Sequence, residues 1–561
     1  MSRIDESMPV SPTFDQLYNR QGEFRKIPVN KRIVYLSIQA VINAVVIGLF
    51  AKALVALIML VTNIAFYGMF SFEPASPAGN QLGWLVVLVP VAGSLLVGIM
   101  ARYGSKAIRG HGIPEAMEKI IMEDSKIPPA ITFLKPLSAA ISIGTGGPFG
   151  AEGPIIATGG AFGSLTGQLM HISPAERKII LTAGACAGMA AIFGCPLAAV
   201  LLAIELLLFE FSPRSIIPVA LACITGAGMH LLLFESGPVF AMATIPMPTT
   251  GALGTYILLG LFVGVIASLL SKSVYIVEDF FEKLPIHWMW WPAIGAVAVG
   301  VTGYYAPFTM GVGYDNIQQL LTGTLPLTML YSLCFLKYIS WVIALGSGTS
   351  GGTLAPLFTI GGALGALLGI AALHFFPSLQ INIATAALVG MAAMFAGASR
   401  AFLTSVVFAL ETTGQLNGLL PLMGACAAAY FISFFLMKGS IMTEKIQRRG
   451  VQTPDSYEPD ILQTTNVELL VTPMPVETEN MPYVYTTDDI GLAAEMMGKY
   501  SQDTLLVLDN KKSRKPVGIV TTASVMEFYS NQKQKDHQYD SPNRTRRLMV
   551  QGRKLVKKMR K

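Results

Sequence analysis

The sequence is poor in charge. Lys, Arg, Asp and Glu make up 13% of its 561 residues, about half the share of a soluble domain, roughly 25%. That excludes a soluble globular reading for most of the chain. Cysteine is scarce and unpatterned. Cys186, Cys195, Cys223, Cys334 and Cys426 all lie in apolar segments without metal-ligand spacing. They read as small buried side chains, not as a disulfide framework or a metal cluster. GTGGPFG (144–150) has no Lys-Ser/Thr after it, so it is not a phosphate loop. There is no hydrolase triad and no acid pair. Neither an enzyme nor a resident cofactor is expected, and no nucleic-acid partner.

Long apolar runs fill the space that charge leaves. Hydrophobic residues are 52% of the chain and the mean hydropathy is +0.55. Leu82–Ala101 is charge-free and long enough to span a bilayer, which takes about 20 residues. Further runs cover 33–70, 176–209, 216–234, 252–270, 288–308, 325–346, 354–377, 383–398 and 417–437. The fold class expected is an all-α polytopic membrane protein. Residues 1–32 are polar and mixed in charge, which fits a cytoplasmic lead and not a cleavable signal. Net charge is +6, and Asn543–Lys561 alone holds nine basic residues and no acid, leaving about −3 for the rest. A basic end of this kind favours a cytoplasmic C-terminus that can touch lipid headgroups. The segment 126–137 carries three prolines and reads as a break, and Lys337 stands alone in an apolar run.

The chain contains one passage twice. GTGGPFGAEGPIIATGGAFGSLTG (144–167) and GSGTSGGTLAPLFTIGGALGALLG (346–369) coincide at ten positions when shifted by 202, among them Gly150/Gly352, Pro154/Pro356 and Gly163/Gly365. A second echo pairs PLAAVLLAIE (196–205) with FLTSVVFALE (402–411). Two echoes in one order indicate an internal duplication. Glycine bends the chain and proline favours a first helical turn, so each passage reads as a loop feeding a helix near Pro154 or Pro356. Helix N-termini attract anions. Glu152 sits at the first such mouth, where its copy is Leu354. It reads as a tethered anion occupying a place a free anion could take. Glu205 and Glu411 recur in both halves and read as structural, capping helix ends or binding backbone amides. The glycines at four-residue spacing read as close helix packing. Short, glycine-interrupted apolar segments at matching places point to broken helices meeting at mid-membrane.

The motifs GHGIPE (110–115), GAEGP (150–154), GTLAP (352–356), GSGTSGG (346–352), GVGYD (311–315), RAFLTSVVFALETTG (400–414) and SIMTEKIQRRG (440–450) together resemble the CLC chloride channel and transporter family over about 33–450. Residues 453–530 look like a single CBS motif, a small cytoplasmic α/β unit. The resemblance implies a homodimer with an anion pathway in each subunit, two inverted halves with broken and tilted helices (33–250 and 251–450), and a basic tail at 531–561. Chloride or a similar anion would be the cargo. CBS-like units would pair across the dimer. Both termini would be cytoplasmic, in a plasma or bacterial inner membrane. By motif position, Glu152 would be the gate. Amides at Glu152, Gly153, Thr353, Leu354 and Ala355 would bind the outer anion.

Four departures from the family's pattern bear on mechanism. His111 stands where a serine usually contacts the central anion, and Met442 where a tyrosine does. Leu206 takes the position of the internal proton glutamate, which favours an uncoupled, channel-like mechanism. Proton-coupled exchange with His111 or water in that role is the alternative, and a transport-inactive sensor a third. Ala151 replaces an often basic residue. The CBS-like stretch ends TTAS (521–524) without a ribose-binding aspartate, so no nucleotide is expected there.

Overall fold

The computed structural model describes residues 31–448 apart from 123, 171, 235 and 236, then 450, 462, 465–473, 481–509, 513 and 515–537. Nearly all of the expected N-terminal lead and most of the basic tail lie outside the described residues. The chain divides into two compact units, Met1–Asp455 and Ser456–Lys561.

Among the described residues of the first unit, seven helices are long and apolar enough to cross a membrane: Lys31–Tyr67, Gly83–Tyr103, Pro213–Leu233, Thr250–Glu282, Leu327–Gly346, Leu354–Phe375 and Leu416–Leu436. Shorter apolar helices are Ile131–Gly144, Pro196–Leu208, Ile383–Ser399 and Phe402–Thr413. This is an integral membrane protein. The 33 residues of Thr250–Glu282 would span about 50 Å at 1.5 Å each, well beyond a core of roughly 30 Å, so length alone requires tilt or protrusion.

The duplication governs the packing. Glu152–Leu169 lies on Pro174–Phe193, and its copy Leu354–Phe375 lies on Ile383–Ser399. Glycines let the backbones touch: a Cβ on Gly159 would run into the Gly184 carbonyl, and one on Gly361 into the Gly390 carbonyl. Glycine here serves close packing, as the spacing implies. Gly150 and Gly352 are repeat copies, and they pair antiparallel with each other. Gly352 donates to the Gly150 carbonyl at 3.1 Å, and Gly150 to the Gly352 carbonyl at 3.4 Å. Like residues exchanging like bonds are the local mark of two halves related by inversion.

The expected proline break at 126–137 holds over 126–130 and is corrected beyond them. Ile131–Gly144 is a helix with Pro136 inside it. Pro136 removes one backbone donor, yet neighbouring elements re-satisfy freed groups at membrane depth. The first long helix also ends sooner than the apolar run 33–70, through a wide turn at Asn63–Tyr67 closed by left-handed Gly68.

In the second unit, β1 (Tyr483–Tyr485) pairs parallel with β2 (Thr504–Leu508), which pairs antiparallel with β3 (Pro516–Thr521). The parallel pair needs a crossover, which the Ile490–Tyr500 helix supplies. Asp489 caps that helix, accepting from the Leu492 amide at 2.7 Å. Val467, Val484, Ile490, Leu505, Val507 and Val520 form its core.

Candidate functional site

The loop of each repeat delivers a helix N-terminus to one buried point. The helix expected near Pro154 begins at Glu152 itself, and its copy begins at Leu354. The Gly150–Gly352 pair holds the two starts together. A third loop joins them: the Gly110 amide donates to the Thr349 carbonyl at 2.9 Å. Gly110 and Gly112 have φ of +94° and +98°, a region where a side chain would strain the backbone. Gly153 shows how close the three loops come. A Cβ there would meet the His111 carbonyl and lie 2.9 Å from the Gly352 Cα. Ser138 Oγ to Ser350 Oγ at 3.1 Å ties the second loop to the helix beneath.

Glu152 is wholly buried in protein, facing no lipid. Its Oε1 accepts a hydrogen bond from the Tyr314 hydroxyl at 3.1 Å. Oε2 is buried without a hydrogen bond of standard geometry. The amides of Glu152 and Ala355 and, at longer range, the Lys337 ammonium put positive potential on the carboxylate. Gly153, Thr353, Leu354 and Ala355, the other outer positions taken from the motifs, therefore converge with Glu152 at these helix starts. Thr353 adds an Oγ1 that is buried and has no partner.

Of the two central positions taken from the motifs, His111 is 4% exposed and Met442 fully buried. His111 Nδ1 has no hydrogen-bond partner. Glu115 holds this region in place. Its Oε2 accepts from the Gly112 amide at 2.7 Å, and its Oε1 pairs with Lys445 Nζ at 3.0 Å. The His111 loop is thus fastened to the segment just after Met442. Leu206 lies elsewhere, in the Ala203–Leu208 turn that packs on the Ile113–Met122 helix, and it is buried among apolar groups.

Glu205 and Glu411 do what their recurrence implies, reciprocally. Glu205 accepts from the amides of Leu403 and Thr404, both at 2.9 Å. Glu411, carried on the helix so capped, accepts from those of Leu197 and Ala198 at 3.0 and 2.8 Å. Each acid closes the N-terminus of the helix that bears the other.

Two features escaped sequence reasoning. Tyr314 was visible only as part of GVGYD, and nothing in that motif assigns its hydroxyl to an acid 162 residues away. The second is that Lys337, noted only as a lone charge in its apolar run, has a buried counterpart in Lys135. Lys135 is 1% exposed and Lys337 0%. Lys135 Nζ donates to the carbonyls of Ile108 and Gly110, both at 2.8 Å, and Lys337 Nζ to that of Thr309 at 3.0 Å. A signal for them existed. The 202-residue shift that aligns the glycine loops also superposes Phe133-Leu134-Lys135 on Phe335-Leu336-Lys337, and Ser138 on Ser340. Each lysine braces the loop that precedes a short helix of its own half. No group of His, Cys, Asp and Glu among the described residues could hold a metal ion.

The family model of the voltage gated chloride channel matches residues 92–434. The chain belongs to the CLC family. It is similar to the H(+)/Cl(-) exchange transporter ClcA of Yersinia pestis bv. Antiqua (strain Angola), 30% identical over 352 residues that make up 60% of this chain and 72% of the relative. A putative chloride channel protein ClcB-like of Ralstonia nicotianae is 27% identical over 374 residues, 66% of this chain and 87% of the relative. Among solved structures, a slow cyanobacterial Cl-/H+ antiporter superposes with a TM-score of 0.65 at 23% identity, over 73% of this chain and 98% of that one. A eukaryotic CLC transporter does so with 0.63 at 18%, over 88% and 98%. At these identities the two structures speak for the fold of this CLC protein, which is the all-α, inverted-repeat membrane fold expected.

Proposed function

We propose that the protein exchanges chloride or a similar small anion for protons across the membrane, through one pathway in each subunit of a homodimer, with Glu152 as the gate. The observation that carries this reading is the seat of Glu152. A buried carboxylate lies where two helix starts and their free amides meet, with no cationic side chain in direct contact. Backbone dipoles hold an anion without binding it too tightly to leave. A carboxylate in that seat keeps a free anion out, and a proton neutralises it and lets an anion in. One position then serves proton and anion in turn, which is the least that exchange requires.

The names of the relatives, exchange transporters and antiporters, favour coupling. Leu206 favours the second reading, uncoupled flux, since an apolar side chain cannot relay a proton inward. His111, whose backbone carbonyl packs on Gly153 and whose Nδ1 has no hydrogen-bond partner, is the group we assign to that relay, and with Met442 it would line the central site. The protein would work as a transporter, with no enzymatic step and no cofactor. Both ends would be cytoplasmic in a plasma or bacterial inner membrane, with lipid around the homodimer. The second unit, read as CBS-like, would pair across the dimer without nucleotide.

Proteoliposomes under opposed chloride and proton gradients test the proposal. Uphill proton movement driven by chloride, lost in Glu152→Gln, is the expected result. Chloride flux without proton movement would establish the uncoupled reading. No flux at all would leave the sensor reading.

A further inference from the structure

We infer that Tyr314 latches the Glu152 gate shut and then presents its hydroxyl to the anion that takes the carboxylate's place. The inference rests on the reading of Glu152 as the gate. Tyr314 opens the Tyr314–Thr322 helix, and its backbone is held from two sides. Behind it, Lys337 Nζ binds the Thr309 carbonyl at 3.0 Å and Asn316 Nδ2 the Phe308 carbonyl at 2.7 Å. In front, the Gly311 amide donates to the Gly146 carbonyl at 3.1 Å, which joins this loop to the one that delivers Glu152. The phenol ring is gripped edge-on by Phe193 at 5.8 Å and Phe240 at 5.9 Å. Phe193 in turn meets Phe408 at 4.9 Å, and Phe408 stacks on Phe358 of the repeat helix at 4.8 Å. A ring so packed keeps its hydroxyl in place whether or not the carboxylate is there.

Tyr314 also borders open space. With Ala151, Thr62, Asp315, Asn316 and Gln319, it lines a cavity of about 390 Å³. Ala151, the residue before Glu152, belongs to that lining, and Glu152 does not. A phenol stays protonated through the working pH range, with a reference pKa near 10, so it donates throughout. Its bond stabilises the charged, seated carboxylate. Once Glu152 takes a proton it becomes a poorer acceptor, and the latch weakens when the gate must leave. The hydroxyl then faces the vacated position, as a side-chain donor added to the amides of the outer site. This chain has His111 and Met442 at the positions of the family's two central hydroxyls; Tyr314 puts one back, one site further out. The charged and titratable groups acting on Glu152 are Tyr314 itself and Lys337 from the Lys337–Gly346 helix; the loop packed on Gly153 brings the His111 backbone carbonyl. The start of the Leu354–Phe375 helix presents amides.

Chloride efflux from proteoliposomes across external pH, for the wild type, Glu152→Gln, Tyr314→Phe and the double variant, tests this. Tyr314→Phe keeps the ring and removes the donor. The midpoint of acid activation is expected to rise by about one pH unit, because a carboxylate that has lost a donor is protonated more readily. In pH dependence alone the double variant should match Glu152→Gln, with no midpoint left to move. In the Glu152→Gln background, calorimetric chloride affinity should fall roughly tenfold when Tyr314→Phe is added. A midpoint that Tyr314→Phe does not move, while Glu152→Gln removes the pH dependence, overturns the latch and leaves the gate. Acid activation that survives Glu152→Gln overturns the gate reading instead. A shifted midpoint with unchanged chloride affinity overturns the part assigned to the hydroxyl once the gate is open.

Discussion

Glu205 and Glu411 are copies in the two halves and do the same work, each binding two amides of the opposite short helix. Glu152 and Leu354 are also copies, and they differ completely: one is a buried acid, the other an aliphatic side chain. The lysines fall between these cases. Lys135 and Lys337 both brace a loop, but only Lys337 also acts on the Glu152 carboxylate. Duplication therefore sorts the polar groups of this membrane unit. Where both halves keep an acid or a base in the same role, it holds the frame. At Glu152, where the halves disagree, the residue lies at the meeting point of the helix starts.

The sharpest break of that comparison is to remove the symmetric acids. Glu205→Ala and Glu411→Ala each free at least two backbone amides from a charged acceptor, and hydrogen bonds to charged groups contribute about 1.5–3 kcal/mol each. We expect each variant to lose about 3 kcal/mol, with unfolding temperatures in detergent that fall by similar amounts. Glu205 also accepts from the Thr404 hydroxyl at 2.6 Å, so the fall should be slightly larger there. One variant unfolding early while the other is untouched would show that the two caps are not equivalent.

The lysines give the next largest effect, and a split one. Lys135→Met leaves two carbonyls without their donor, Lys337→Met one. A buried polar group left unpaired costs roughly 1–3 kcal/mol, so the loss of thermal stability should be the greater for Lys135→Met. Gating should respond in the opposite order. Lys337 helps hold Glu152 in its charged form. Removing that positive charge makes protonation easier, and acid activation of flux should begin at higher pH in Lys337→Met. Lys135→Met should leave the midpoint in place. Equal shifts in both would mean that the lysines act through the shared frame.

Much of this was legible in the sequence, for definite reasons. The membrane class follows from the scarcity of charge. The duplication follows from glycines that cannot be replaced where backbones touch, such as Gly159 and Gly361. Glu152 stood out because proline and glycine mark helix starts and because its copy lacks the acid. The contacts made at a distance were hidden. Tyr314 is one of 18 tyrosines, and its role depends on two loops meeting, which no local pattern encodes. Lys135 was masked by the prolines around it, which read as a break where the chain continues as a helix through Pro136. Leu206 shows the limit from the other side: its position is plain in the sequence, yet its apolar burial says only what is missing.

The smallest effect expected concerns Thr353, and it separates fold from function most cleanly. Its copy under the 202-residue shift is Ala151, so the frame itself does not call for a hydroxyl at this point. Thr353 is 1% exposed and its Oγ1 has no partner. A buried hydroxyl without a partner is a cost, on the order of 1 kcal/mol or more in proteins. Thr353→Val keeps the shape and removes that cost, so the unfolding temperature should stay the same or rise slightly. If the hydroxyl is kept to meet an anion, chloride affinity measured in the Glu152→Gln background should fall several-fold in the same variant. Stability that holds while affinity drops would place Thr353 with Glu152 among the residues by which the halves differ for function. A marked loss of stability would mean that the hydroxyl serves the frame, and that at this position the difference between the copies carries no functional meaning.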